Sequence, residues 1–154
     1  DPKTRMMRLF KEIAMLEIMT PAASRTLVRP LIAVAVSAGH PCPADDHCDE
    51  LLDLNQHLIN HPQHTYFVRV QGESMINAGI HDGDLLIVDR AITPRNDHVV
   101  IAHLNGELTV KRIRMEDGVV LLMPENPAYP VITVTADIHF DVWGVVTNVI
   151  HALA

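Results

Sequence analysis

Lysine, serine and cysteine are all scarce in this chain of 154 residues, and each shortage closes off a class of protein. The two cysteines, Cys42 and Cys48, lie in a polar, proline-bearing stretch; they are too few for a disulfide-built scaffold and too few for a zinc cage unless histidines join them. The longest apolar run, Leu31 to Val36, falls far short of the roughly 20 residues a membrane span requires. No charged segment followed by an apolar one opens the chain, as an export signal would. A cytoplasmic protein with reduced thiols and no membrane contact is expected. Positive charge is also in deficit, with a net charge of −7, and its distribution is uneven. Residues 1 to 30 carry six Lys/Arg against three Asp/Glu, whereas the remainder carries six against sixteen. So acidic a body repels a phosphate backbone, which argues against direct duplex-DNA binding.

What is present reads as one folded body preceded by an arm. Up to about residue 44 the character changes repeatedly: a helix-permissive start, then Thr20-Pro21, Arg29-Pro30, a β-prone run from Leu31, and Pro41 and Pro43. Asp1 is not an initiator and Met15 offers a natural start, so residues 1 to 14 are read as upstream sequence. Asp53, with Gln56 three residues on, signals a short connecting helix that Pro62 stops at His61. Beyond it come strand-like runs at Thr65 to Gln71, Asp84 to Asp89, His98 to Leu104, Glu107 to Ile113, Val119 to Met123, Val131 to Thr135 and Phe140 to Ile150. Short strands without long helices between them predict a mostly β, mainly antiparallel body. Asn105-Gly106 between two β-branched runs predicts a two-residue hairpin loop.

Beyond the arm, Ser74 is the only serine and Lys111 the only lysine. The hairpin register sets Lys111 opposite Val100, on the side of the sheet that carries Ala102, Thr109 and Ile113. Desolvation there disfavours the ammonium, and a lysine tuned to about 7 to 8 serves as a general base. Ser74 follows a strand and precedes a turn-rich stretch, where backbone N–H groups, its own included, could form an oxyanion hole. Residue logic alone leaves other readings open. The two residues could be an ordinary turn serine and a strand lysine snorkelling to water, or Ser74 could join His139 and Asp141 in a triad. Cys42 as a nucleophile is weaker, because nothing around it lowers a thiol pKa. Metal sites built on His57, His61 and His64, or on Cys42, His47 and Cys48, lack firm ligand spacing. Neither a metal nor a cofactor is expected.

The stretch from Gly72 through Glu73-Ser74-Met75 to Asp89, and the stretch Gly106-Glu107-Leu108-Thr109-Val110-Lys111-Arg112, resemble the nucleophile and lysine motifs of the LexA/UmuD family of self-cleaving Ser-Lys peptidases. Asp53 to Gln56, His61-Pro62, Thr65 to Val68 and Trp143 to Val146 extend the likeness over most of the body and favour its UmuD-like branch. The resemblance implies the family's compact β-rich body, usually dimeric, with Ser74 as nucleophile and Lys111 as general base. It further implies cleavage at a small-residue/Gly bond in the arm. Ala38-Gly39 stands there, 36 residues before Ser74, with Lys111 37 residues after that serine. Cutting would release residues 1–38 and leave a body of residues 39–154. The arm itself matches the family poorly, and Ala78 replaces a common glycine. The implied partners are a second copy of the chain, a RecA filament on single-stranded DNA as activator, and a UmuC-type error-prone polymerase in the SOS response. A LexA-type repressor is disfavoured because about 38 residues before the cut cannot hold a three-helix DNA-binding domain. A signal-peptidase-like hydrolase acting on other proteins is disfavoured by the lack of an anchor.

Overall fold

In the computed structural model, residues 17–19, 26–32, 38–39 and 48–154 are described, and the chain divides into two units, residues 22–60 and residues 1–21 with 61–154. The smaller unit holds an antiparallel pair, β2 (Val28–Ile32) and β3 (Cys48–Asp53), in which Arg29 faces Leu52 and Leu31 faces Glu50. Asp53 then starts α1 (Leu54–Leu58): its buried carboxylate accepts the Asn55 N–H at 2.9 Å and the Leu27 N–H at 3.3 Å. An aspartate capping its own helix in this way satisfies an amide that the first turn leaves without a partner. The helix stops three residues earlier than His61, because Ile59 is already extended at φ −111°, ψ 97°.

The larger unit is an antiparallel sheet in the order β1-β4-β5-β10-β6-β7-β8-β9. Its strands are β1 (Glu17–Met19), β4 (Thr65–Arg69), β5 (Leu85–Asp89), β6 (Val99–Leu104), β7 (Glu107–Glu116), β8 (Val119–Met123), β9 (Ile132–Val134) and β10 (Phe140–Ile150). The mostly β, antiparallel class read from the sequence is thus the observed one. Every strand expected in the body is present, within a few residues of its expected ends. β1, β2 and β3 were not expected. Cys42, His47 and residues 33–37 of the β-prone run lie outside the described residues.

Alternation along the strands feeds two buried clusters. One gathers Val68, Met75, Ile80, Leu86, Val88, Ile101 and Val110; the other gathers Val100, Ala102, Ile113, Leu122 and Val145. β10 passes between β5 and β6 with irregularities at Val142/Gly144 and Val146/Asn148. Gly144 is required at the first, since a Cβ there would sit 2.6 Å from Cγ1 of the fully buried Val88.

Two features of the sheet create the site. Asn105 (φ 48°) and Gly106 (φ 93°) make the tight loop with both residues left-handed, as a type I′ hairpin needs, and so fix Val100 opposite Lys111. β7 is also longer than its partners: residues 107–112 pair with β6, while β8 covers only 112–116. Among the described residues, the first half of β7 therefore has one edge without a strand beside it.

Candidate active site

The chain after β4 fills the space beside that edge. At Gly72 (φ 93°) it turns, and the Gly72 N–H donates to the Asp82 carboxylate at 2.7 Å. Met75, only 2% exposed, anchors the turn in the core, and a 3₁₀ turn over Ile76–Ala78 closes on Gly79 at φ 77°. The segment that follows β8 holds this loop from outside. The Glu125 N–H donates to the Ser74 carbonyl at 2.8 Å, the Asn77 N–H donates to the Glu125 carbonyl at 2.8 Å, and the Asn126 side-chain amide donates to the Glu73 carbonyl at 2.8 Å. Arg112, next to Lys111 on β7, grips the Glu125 carboxylate. This clamp was invisible to sequence reasoning; only Pro124-Glu125-Asn126 as a turn signal after a strand could have hinted at it.

Ser74 is thereby presented, half-buried, to Lys111: the distance between Nζ and Oγ is 3.1 Å. The same Nζ lies 3.1 Å from the Thr109 hydroxyl and 3.0 Å from the Val110 carbonyl oxygen. Lys111 is 7% exposed, and among the described residues no carboxylate lies within ion-pair distance of it. Burial without a counter-charge lowers its pKa from the ordinary 10.5. A cavity of about 60 Å³ opens at the serine between the segment from Val70 to Met75 and the stretch Leu108–Val110, with room for a small side chain. Among the described residues, the N–H groups of Ser74 and Met75 have no backbone acceptor, whereas those from Ile76 through Ile80 are all engaged.

The other sequence-level candidates are not brought to this point. His139 and Asn105 exchange hydrogen bonds at the hairpin loop, where Asn105 stands six residues before Lys111 and so about 20 Å away by strand rise. Asp141 pairs with His103 at 3.7 Å, so the triad reading has no geometry behind it. His61 lies beyond the end of α1 and bonds through Nδ1 to Asp89 at 2.6 Å. Ala38 and Gly39 form an exposed bend in the smaller unit. Among the described residues no helix is long and apolar enough to cross a membrane.

Comparison with known proteins identifies the family. The model of the family described as Peptidase S24-like matches residues 30–147. The chain is 44% identical over 122 residues to Protein SamA of Salmonella typhimurium, covering 79% of this chain and 84% of that protein. It is 41% identical over 137 residues to Protein ImpA of Escherichia coli, covering 85% and 89%. Likeness to the LexA repressor of Paracidovorax citrulli, 41% over 124 residues, takes in 80% of this chain but 54% of that protein. With the family matched over most of its length and such relatives beside it, the chain belongs to the S24-like peptidases and is a UmuD-like, self-cleaving serine peptidase.

Proposed function

We propose that Ser74 and Lys111 are the catalytic pair and that they cut the Ala38–Gly39 bond, dividing the chain into an arm, residues 1–38, and a working body, residues 39–154. The observation that carries this reading is the 3.1 Å contact between the Ser74 hydroxyl and a buried lysine that has no counter-ion among the described residues. The surroundings of Nζ suit a neutral amine. Its two N–H groups can donate to the Val110 carbonyl and the Thr109 hydroxyl, leaving the lone pair for the Ser74 proton. In the first step Lys111 takes that proton as Oγ bonds to the Ala38 carbonyl carbon. The carbonyl oxygen becomes an oxyanion, for which the Ser74 and Met75 N–H groups, without a backbone acceptor among the described residues, are the natural donors. The C–N bond then breaks, Lys111 returns the proton to the Gly39 amine, and water, deprotonated by the same lysine, releases the acyl group from Ser74. A small residue such as Ala38 suits the small cavity.

Function follows the same line: a peptidase of the SOS response whose shortened body, as a homodimer, joins a UmuC-type polymerase in translesion synthesis, with RecA on single-stranded DNA prompting the cut. Near full-length agreement with SamA and ImpA, against about half of the LexA repressor, supports an accessory factor over a repressor. The test is incubation of purified protein over a pH series with mass analysis. A new N-terminus at Gly39, a rate rising with pH, and a loss of ~10²- to 10⁴-fold in Lys111→Ala are expected. Normal cutting by Lys111→Ala, or a cut elsewhere, refutes the assignment. Added RecA filaments should accelerate the reaction.

A further inference from the structure

A second cluster of polar side chains stands apart from the peptidase pair. Asp84, 3% exposed, begins the turn into β5; one of its oxygens accepts the His81 N–H at 2.7 Å, and the other lies 2.6 Å from Nδ1 of His151, just past the end of β10. The His81 and His151 rings stack at 4.7 Å between centroids. Nδ1 of His81 is buried without a hydrogen-bond partner among the described residues, 3.7 Å from the Asp84 carboxylate, too long for a hydrogen bond. One donor atom from each of the three residues falls within 4.8 Å of the other two.

We infer that His81, Asp84 and His151 form a binding site for one divalent transition-metal ion of the zinc class. Two imidazoles and a carboxylate are borderline donors that suit Zn²⁺ and Co²⁺, and three protein ligands leave a fourth position to water. Bonds of about 2.0–2.2 Å in tetrahedral geometry put ligand atoms roughly 3.3–3.5 Å apart. His81 Nδ1 lies 3.7 Å from Oδ2 of Asp84 and His151 Nδ1 lies 2.6 Å from Oδ1, so an ion held by both carboxylate oxygens asks the His81 contact to close by only a few tenths of an ångström, on the order of the tetrahedral spacing. The His151 contact must open by less than ~1 Å as the ion replaces the shared proton, which a turn of the half-exposed ring provides. The ion would fasten the end of β10 to the loop between Ser74 and β5, joining residues 67 apart in sequence. This site departs from the sequence expectation of no metal, which weighed other histidines.

The test uses the full chain carrying Ser74→Ala, so that it stays intact, with Co²⁺ as a spectroscopic probe and Zn²⁺ titrated by calorimetry. Expected are one ion per chain, visible d–d bands without thiolate charge transfer, and a melting temperature that rises with added Zn²⁺. His81→Ala and His151→Ala should each weaken binding by at least ~10-fold and remove the bands. Both histidines are half-exposed, so these variants keep the buried Asp84 and fold. Equal affinity in parent and variants, bands showing thiolate ligation, or no binding would each overturn the proposal.

Discussion

Replacing Lys111 by methionine, of similar length and without charge, tests the electrostatics of the site directly through the way stability depends on pH. In the folded chain the ammonium is buried with oxygen neighbours only; unfolding returns it to water and to its ordinary pKa of 10.5. The folded value is the lower one, burial being the cause. At any pH between the two, the unfolded state holds the extra proton, so the unfolding free energy climbs with pH by about 1.4 kcal/mol per unit. Below the folded value both states are charged and the whole desolvation penalty is present; above 10.5 neither is charged and the climb ends. A methionine variant lacks this climb. It also strands the Thr109 hydroxyl and the Val110 carbonyl, at about 1–3 kcal/mol for each group left unsatisfied, but that loss is the same at every pH and shifts the curve without tilting it. The parent should therefore gain on the variant as pH rises toward 10.5. Urea unfolding of both proteins on a Ser74→Ala background, from about pH 6 upward, measures the difference, because all other titrating groups are common to the two. The pH at which the parent curve begins to climb should match the pH at which self-cleavage levels off. Parallel curves would mean that the lysine is not desolvated, and the neutral-base mechanism would fall with it.

Two structural predictions accompany this one. Gly144→Ala, which drives a Cβ against Val88 and, at 3.2 Å, against Cγ of Arg90, should cost about 1–3 kcal/mol in chemical denaturation, and a neutral result would mean that β10 shifts freely at its bulge. Asn126→Ala removes the hydrogen bond to the Glu73 carbonyl and should slow self-cleavage several-fold while changing the melting temperature by no more than a few degrees; an unchanged rate would show that the two Glu125 backbone bonds hold the serine loop unaided.

Much of the body was legible because its signals are local. Asn105-Gly106 admits one hairpin geometry, and once the loop is fixed the opposition of Val100 and Lys111 follows by counting. The strands that went unread lack those signals. β3 is written Cys-Asp-Glu-Leu-Leu-Asp, with little β-branching, and β2 contains Pro30, which a two-stranded pair tolerates because every strand in it is an edge. β1 has three residues in a helix-permissive stretch, and its pairing with β4 joins Glu17 to Arg69, a contact no local pattern encodes. The scarcity of serine and lysine drew attention to Ser74 and Lys111, and the likeness of their surrounding motifs to the LexA/UmuD family set them above the turn-serine and triad readings. The clamp at Glu125 and Asn126 and the histidines around Asp84 come together only through long-range topology, at separations of 53 residues for Asn126 with Glu73 and 67 for His151 with Asp84.

The unequal pairing of β7 has a bearing on control. The proposed base and nucleophile are each secured by the same sheet, Lys111 within a strand and Ser74 through the stretch that leaves β8. In the folded body the pair already stands within 3.1 Å. On the proposed reading, any restraint on the reaction must govern how often the Ala38–Gly39 bond arrives, so an activator would have only to alter the traffic of the proposed arm.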